Sequence, residues 1–182
     1  MAAKEIIVEK VLYLYSSREG QTKKIIGRIA EQLGHNDAAT INLHENPDVN
    51  LSDYDKVLIG ASIRYGHLNK KLYQFIEANQ QQLSGMKAAF FCVNLTARKE
   101  DQGKDTPEGS AYIKTFLKKS PWQPTLIGVF AGALYYPRYN SFDRFMIKLI
   151  MTMTGGETDT TKEVEYTNWE KVGLFAEKFA QL

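Results

Sequence analysis

Residues 10–22 read Lys10-Val11-Leu12-Tyr13-Leu14-Tyr15-Ser16-Ser17-Arg18-Glu19-Gly20-Gln21-Thr22. Val11 to Tyr15 mix β-branched, leucine and aromatic residues with no polar interruption, as a strand covered on both faces does. The run then stops at a polar turn containing Gly20. From Thr22 onward Ile25, Ile26, Ile29, Ala30 and Leu33 recur at helical spacing, with Lys23, Lys24, Arg28 and Glu31 outside and Gly34 as a stop. Strand, polar turn and helix therefore follow one another, the unit from which parallel sheets are built.

The unit recurs. A weaker strand is predicted at 38–43, and a strand over 54–60 ends at Gly60-Ala61-Ser62-Ile63-Arg64-Tyr65-Gly66-His67. A helix over 68–83 points Leu72, Phe75, Ile76 and Leu83 inward. The strand at 88–93 ends at Asn94-Leu95-Thr96-Ala97-Arg98, and a polar stretch over 99–109, expected to be mobile, leads to a helix at 110–119. Thr125 to Ala133 is a further strand, and a helix over 168–181 faces Trp169, Val172, Phe175, Ala176 and Phe179 inward. This predicts one three-layer α/β domain over 1–182, whose three polar turns converge beyond the carboxyl ends of the strands, where such sheets bind ligands.

Composition narrows the function. With 43% hydrophobic and 24% charged residues the chain is of globular type, and a net charge of +2 without a basic block argues against nucleic acid. The single cysteine, Cys92, has no internal disulfide partner and lies in an apolar run, so it reads as a buried, inert thiol suited to a reducing compartment. Neither a signal-type leader nor an apolar run of membrane-spanning length is seen, so the protein is expected to be neither secreted nor membrane-spanning. His35 and His44 lack partners at ligand spacing, and no metal site is expected.

The turn at 16–22 has two hydroxyls, a glycine and a third hydroxyl at a helix start. It suits an anion held by backbone N–H groups and the helix dipole. It equally suits a simple N-capping turn. The GxxxxGK[ST] and GxGxxG patterns are both absent, which excludes the usual triphosphate loop and dinucleotide fingerprint.

Ser17-Arg18-Glu19-Gly20-Gln21-Thr22 resembles the flavodoxin phosphate loop, Ser/Thr-x-Thr-Gly-x-Thr, with Glu19 departing from the usual threonine. Longer strings are similar to the flavodoxin-like, quinone-dependent protoporphyrinogen IX dehydrogenases of bacteria. They are 60–67, 93–99, Ala131-Gly132-Ala133-Leu134-Tyr135-Tyr136-Pro137-Arg138-Tyr139, and 143–151 followed by Gly155-Gly156-Glu157-Thr158-Asp159-Thr160. The resemblance runs from about Val11 to the end. It implies a doubly wound, five-stranded parallel sheet of order 2-1-3-4-5, with a hydrophobic insertion at about 134–165 after or within the last strand. It implies FMN held by Ser16, Ser17, Arg18, Glu19, Gly20, Gln21 and Thr22, with Ser62, Arg64, Tyr65 and Gly66 on one side of the ring and Asn94, Leu95, Thr96 and Arg98 on the other. Tyr65 is the stacking candidate.

The activity so implied is oxidation of protoporphyrinogen IX to protoporphyrin IX in haem biosynthesis, with electrons passed to a membrane quinone, menaquinone or ubiquinone. The implied location is cytoplasmic, peripheral on the inner membrane, with a homo-oligomer left open. Two other functions suit the same fold: an electron-carrier flavodoxin, which the +2 charge disfavours because such carriers are usually strongly acidic, and an NAD(P)H:quinone reductase. The catalytic residues are not fixed by the sequence; Arg64, His67 and Arg98 are candidates, the arginines for anion pairing and the histidine for proton movement.

One further stretch asks for a function. Residues 141–154 form a predicted helix on which Phe142, Phe145, Met146, Leu149, Ile150 and Met153 share a broad face, Arg144, Lys148 and Thr152 lie opposite, and Ile147 and Met151 widen the apolar side. So little polar surface suits either a deeply packed core helix or a helix lying in a membrane interface. Tyr135, Tyr136, Arg138, Arg144, Phe145, Met146, Lys148 and Leu149 are accordingly expected to meet substrate or membrane.

Overall fold

The computed structural model describes residues 9–182. Strands β1 (Val11–Ser16), β2 (Ala39–Asn42), β3 (Lys56–Ser62), β4 (Lys87–Asn94) and β5 (Leu126–Ala131) form a parallel sheet in the order β2-β1-β3-β4-β5, as the family resemblance implies. Leu14 stands beside Ile41 of β2 and Ile59 of β3, Ile59 beside Phe90, and Cys92 beside Val129. Alternate residues therefore serve opposite faces. Val11, Tyr13, Leu58, Ala89 and Phe91 pack under α1 (Gln21–Gln32) and α6 (Trp169–Ala180), with Ile25, Ile26, Ile29, Val172, Phe175 and Phe179. Leu12, Leu14, Val57, Ile59 and Phe90 face α2 (Lys70–Ala78), α3 (Gln80–Gly85) and α4 (Ala111–Lys119), with Leu72, Phe75, Ile76, Leu83 and Phe116. Gly60 admits the Phe91 ring, which would lie 2.3 Å from any Cβ there. Lys56 is buried beside Glu9 (2.9 Å) and donates to the carbonyls of Phe179 and Ala180, so a cation sits at the carboxyl end of α6.

The differences from expectation have local causes. The helix over 68–83 is broken at Asn79, whose Nδ2 donates to the Phe75 carbonyl (2.9 Å) and so competes for the turn. The strand predicted at 54–60 lies two residues later, which carries Gly60 and Ala61 into the sheet. The stretch 99–109 is held by its own turns and by Lys171, which bonds Glu100 (3.0 Å) and Asp105, rather than hanging free. The strand expected through Ala133 ends at Ala131. Gly132 then turns the chain into β6 (Ala133–Tyr135), which pairs antiparallel with β7 (Glu163–Glu165) as a separate two-stranded sheet. Between them runs α5 (Ser141–Thr154), capped by Asn140 at its start and by Gly155, with φ +69°, at its end.

Cys92 is fully buried, and burial pushes its thiol up to about 12, since a thiolate there would lose its hydration. Native protein at pH 8 is therefore expected to resist iodoacetamide and to be labelled only in denaturant. Stoichiometric labelling of the native state, read by intact mass, would contradict the buried placement.

Candidate functional site

The carboxyl ends of β1, β3 and β4 open on one cleft, at the point between β1 and β3 where strand order reverses. Its walls include Ser17, Glu19, Gln21 and Thr22 from the first loop, Ser62 to Gly66 from the second, and Val93 to Thr96 from the third. Gly132, Ala133, Tyr139 and Tyr112 extend it, and Asp143, Ile147 and Ile150 of α5 form a roof.

In the first loop, Gly20 takes φ +91° at the N-cap of α1, and no side chain caps the helix. The N–H groups of the first turn are left pointing out of the helix end, as anion sites require. Thr22 lies on that turn, fully buried, and its Oγ1 has no hydrogen-bond partner. A buried hydroxyl without a partner is costly, so it marks a position built for something else. Ser62 Oγ donates to Ser17 Oγ (3.2 Å) and thereby joins the second loop to the first. Ser16 is buried with its Oγ 2.8 Å from His44 Nε2. Burial holds the His44 imidazole below its ordinary value, helped by Arg18 and Lys71 and opposed by Glu45.

The second loop is a two-residue hairpin. Arg64 and His67 exchange both backbone hydrogen bonds, and Tyr65 (φ +49°) and Gly66 (φ +80°) make the turn. Positive φ at both central positions is the type I′ geometry, natural for Gly66 and strained for tyrosine. Tyr65 is compensated by its hydroxyl, which donates to Asp143, and by Arg64, whose guanidinium carbon lies 5.2 Å from its ring centre. Arg64 spans Glu19 Oε1 (3.0 Å) and Asp143 Oδ2 (2.5 Å). Burial raises the Glu19 carboxyl, Arg64 opposes that shift, and Asp143 adds to it. In the third loop Asn94 Oδ1 accepts from Thr96 Oγ1 (2.6 Å) and from the Ala97 N–H (2.9 Å), which fixes the turn after β4.

Several predicted site residues stand elsewhere. Arg98 does not line the cleft; its guanidinium donates to the Leu95 carbonyl (2.7 Å) and to the carbonyl and hydroxyl of Thr154 (3.0 Å each). Arg18 and His67 border a polar hollow on the β2 side of the first loop, beside His44 and Asn69. The Gln21 amide is taken up by Thr167 (2.8 Å) and Tyr135 (2.7 Å), a structural duty.

The list of substrate or membrane contacts needs correction. Tyr136 is fully buried and donates to the Glu157 carbonyl (2.8 Å), so it can touch neither. Arg144 spends its guanidinium on the carbonyls of Tyr136 (3.2 Å) and Tyr139 (3.1 Å), and Arg138 forms a forked pair with Glu163 (2.7 and 2.8 Å). The core-helix alternative also fails in one respect. Phe142 and Phe145 are each 64% exposed, Met153 78% and Leu149 44%, while Met151 and Ile147 pack inward. Met146 is half-buried and Lys148 exposed.

Asp143, Tyr112, Ile147 and Ile150 were not foreseen as cleft residues. Asp143 in particular reads from sequence as an ordinary first-turn acid beside the Asn140 cap. Tyr139, held by burial near 12, keeps its phenol proton at neutral pH with its oxygen accepting from the Tyr135 N–H (3.0 Å).

The flavodoxin-domain family model matches residues 12–161. The chain belongs to the flavodoxin family. A Leishmania major protein named protoporphyrinogen IX dehydrogenase [quinone] is 50% identical over 176 residues, covering 95% of this chain and 75% of its own. The Escherichia coli K12 protein of the same name is 47% identical over 175 residues, covering 95% of this chain and 96% of its own. Among solved structures, oxidised Flavodoxin 2 from Bacillus cereus superposes with a TM-score of 0.52 at 18% identity, covering 94% and 98% of the two chains. At that identity it speaks to the fold. The flavodoxin domain carries a flavin as its cofactor, and the residues present fit one. The uncapped α1 terminus and the unpartnered Thr22 hydroxyl suit an anionic group, and the apolar wall of Val93, Leu95, Ile147 and Tyr65 suits a ring. Among the described residues no cluster of His, Cys, Asp and Glu could hold a metal, and no helix is long and apolar enough to cross a membrane.

Proposed function

We propose that the protein is a quinone-dependent protoporphyrinogen IX dehydrogenase of haem biosynthesis, with FMN in the cleft and α5 laid on the inner-membrane surface. The likeness to proteins of that name over 95% of the chain supports the reaction class. The observation that carries the reading to this chain is the course of its apolar surface. Phe142, Phe145, Leu149 and Met153 face water, and Ile150, 38% exposed, also lines the cleft. An apolar path thus leads from the outer side of α5 to the flavin position. A water-soluble electron carrier has no use for such a path, whereas a porphyrinogen macrocycle and a lipid-borne quinone both do.

In this assignment the α1 terminus, Thr22, Ser17 and Ser62 hold the phosphate of FMN, and Tyr65 and Leu95 border its ring. What FMN supplies when bound is hydrogen and electron transfer between porphyrinogen and quinone. The chain supplies position and dryness: Ile147 and Ile150 exclude water from above, and Asn94 holds the third loop still. Lys148, exposed beside the apolar face, is the cation available to headgroups or substrate carboxylates.

The test is an anaerobic assay of the FMN-loaded protein. Protoporphyrinogen IX is expected to bleach the flavin, and menaquinone to restore its colour with protoporphyrin accumulating. Bleaching by NADPH and not by the porphyrinogen would instead make the protein an NAD(P)H:quinone reductase. Bleaching by neither would leave a carrier.

A further inference from the structure

Helix α5 has few of the attachments of a core helix. Its outward face has no partner among the described residues, and its inward stripe meets the small cluster of Leu134, Tyr136, Tyr139 and Met151. Yet each end is fastened to a loop of the cleft. At the amino end, Asp143 is buried, although carboxylates seldom are, and takes Arg64 at 2.5 Å together with the Tyr65 hydroxyl. Phe142 adds an edge-on contact with Tyr65, centroids 6.4 Å apart. At the carboxyl end, Arg98 donates to Thr154, where a cation meets the negative end of the helix dipole. The first tether comes from the loop after β3 and the second from the loop after β4, the two loops on either side of the cleft.

We propose that Asp143 and Arg98 are positioning residues that strap α5 across the cleft, so that the loops bordering the flavin set the register of the helix carrying the apolar face. This rests on the flavin reading of the cleft and not on the identity of the substrate. It gives Arg64 and Arg98, which look like anion ligands in the sequence, a shared duty in placing α5. It also accounts for the strained Tyr65, since its hydroxyl reaches Asp143 from the tight hairpin.

Hydrogen exchange read by mass spectrometry on the apoprotein tests the tethers. In Asp143→Asn and Arg98→Gln, peptides from 141–154 are expected to exchange about ten-fold faster while peptides from 88–93 are unchanged, a local opening rather than a global one. Arg98→Lys, which keeps a cation at the helix end, should recover part of the protection. FMN dissociation, followed by return of flavin fluorescence, should quicken several-fold in both variants. Unchanged exchange in α5, or acceleration spread equally over the sheet, overturns the proposal. So does faster α5 exchange with an unaltered FMN dissociation rate, because the helix would then be tethered without bearing on the site. Exchange in the apoprotein does not depend on FMN, so a wild-type chain that bound none would defeat the flavin reading separately. If Asp143→Asn fails to fold, Tyr65→Phe removes one hydrogen bond of the same tether and takes its place.

Discussion

Thr22→Val should make the apoprotein more stable and the FMN complex weaker. The Thr22 hydroxyl is buried without a partner, on the first turn of an uncapped helix. Valine has nearly the same shape and leaves no orphan, so the apoprotein should gain part of the roughly 1–3 kcal/mol that an unsatisfied buried group costs. For a chain of this length that is a rise in Tm of about 2–4 °C for each kcal/mol recovered. The complex moves the other way. A hydrogen bond to a charged acceptor contributes about 1.5–3 kcal/mol, so FMN affinity should fall about ten- to a hundred-fold. Differential scanning of the apoprotein and fluorescence titration with FMN measure the two effects independently. A fall in apoprotein Tm would mean that the hydroxyl has a partner within the fold, and an unchanged Kd would remove Thr22 from the phosphate site.

How far the sequence reached depends on the kind of interaction. The sheet was legible because its strands are buried on both faces, so that nearly every residue from Val11 to Tyr15 and from Ala88 to Val93 carries the same apolar signal. Strand order was not legible from periodicity and came from resemblance. The three loops were legible as polar turns after apolar runs, which is a local pattern. What the side chains in those loops do was less so. Arg98 and Arg64 look alike in sequence, each a few residues beyond a strand, yet one fastens a helix end outside the cleft and the other spans two carboxylates at its rim. Asp143 lies 79 residues from Arg64, and nothing local announces their pairing.

Helix α5 shows the same limit. Its angular pattern was correct over Ser141–Thr154, but periodicity fixes which residues share a face and not which way that face points. The richest apolar face is turned outward, because the inward side is occupied by Asp143, Ile147, Met151 and Thr154, which answer Arg64, Tyr65, Arg98 and the cluster around Leu134. Tyr136 and Arg144 were misplaced for a related reason. Both are amphipathic residues that use their polar tips on backbone carbonyls, an outcome invisible to a hydropathy pattern.

That outward face gives the other large effect. Replacing Phe142, Phe145, Leu149 and Met153 together by Ser should abolish vesicle binding while leaving the fold and FMN affinity nearly intact. All four are exposed, at 64%, 64%, 44% and 78%, and exposed substitutions of this kind typically change stability by about 0.5 kcal/mol or less each. In the acyl region, by contrast, full withdrawal of such side chains from water is favourable by about 1.5–3 kcal/mol apiece, and half-immersion by about 1. Four together then amount to about 4 kcal/mol, or on the order of a thousand-fold in partitioning. Met146, half-buried, and Ile150, which lines the cleft, are left unchanged so that the site is not disturbed. Co-sedimentation with vesicles of neutral and of anionic lipid reads the loss directly. Lys148→Glu should weaken binding to anionic vesicles alone, by less, because one charge near such a surface contributes only about 1 kcal/mol. Turnover with a lipid-borne quinone should fall with vesicle binding in the four-fold variant, whereas flavin bleaching by porphyrinogen added in detergent should survive. If the face were instead covered by a second copy of the chain, the wild type would sediment as a dimer without lipid and the variant as a monomer. Undiminished vesicle binding by the variant would place the membrane contact elsewhere on the molecule.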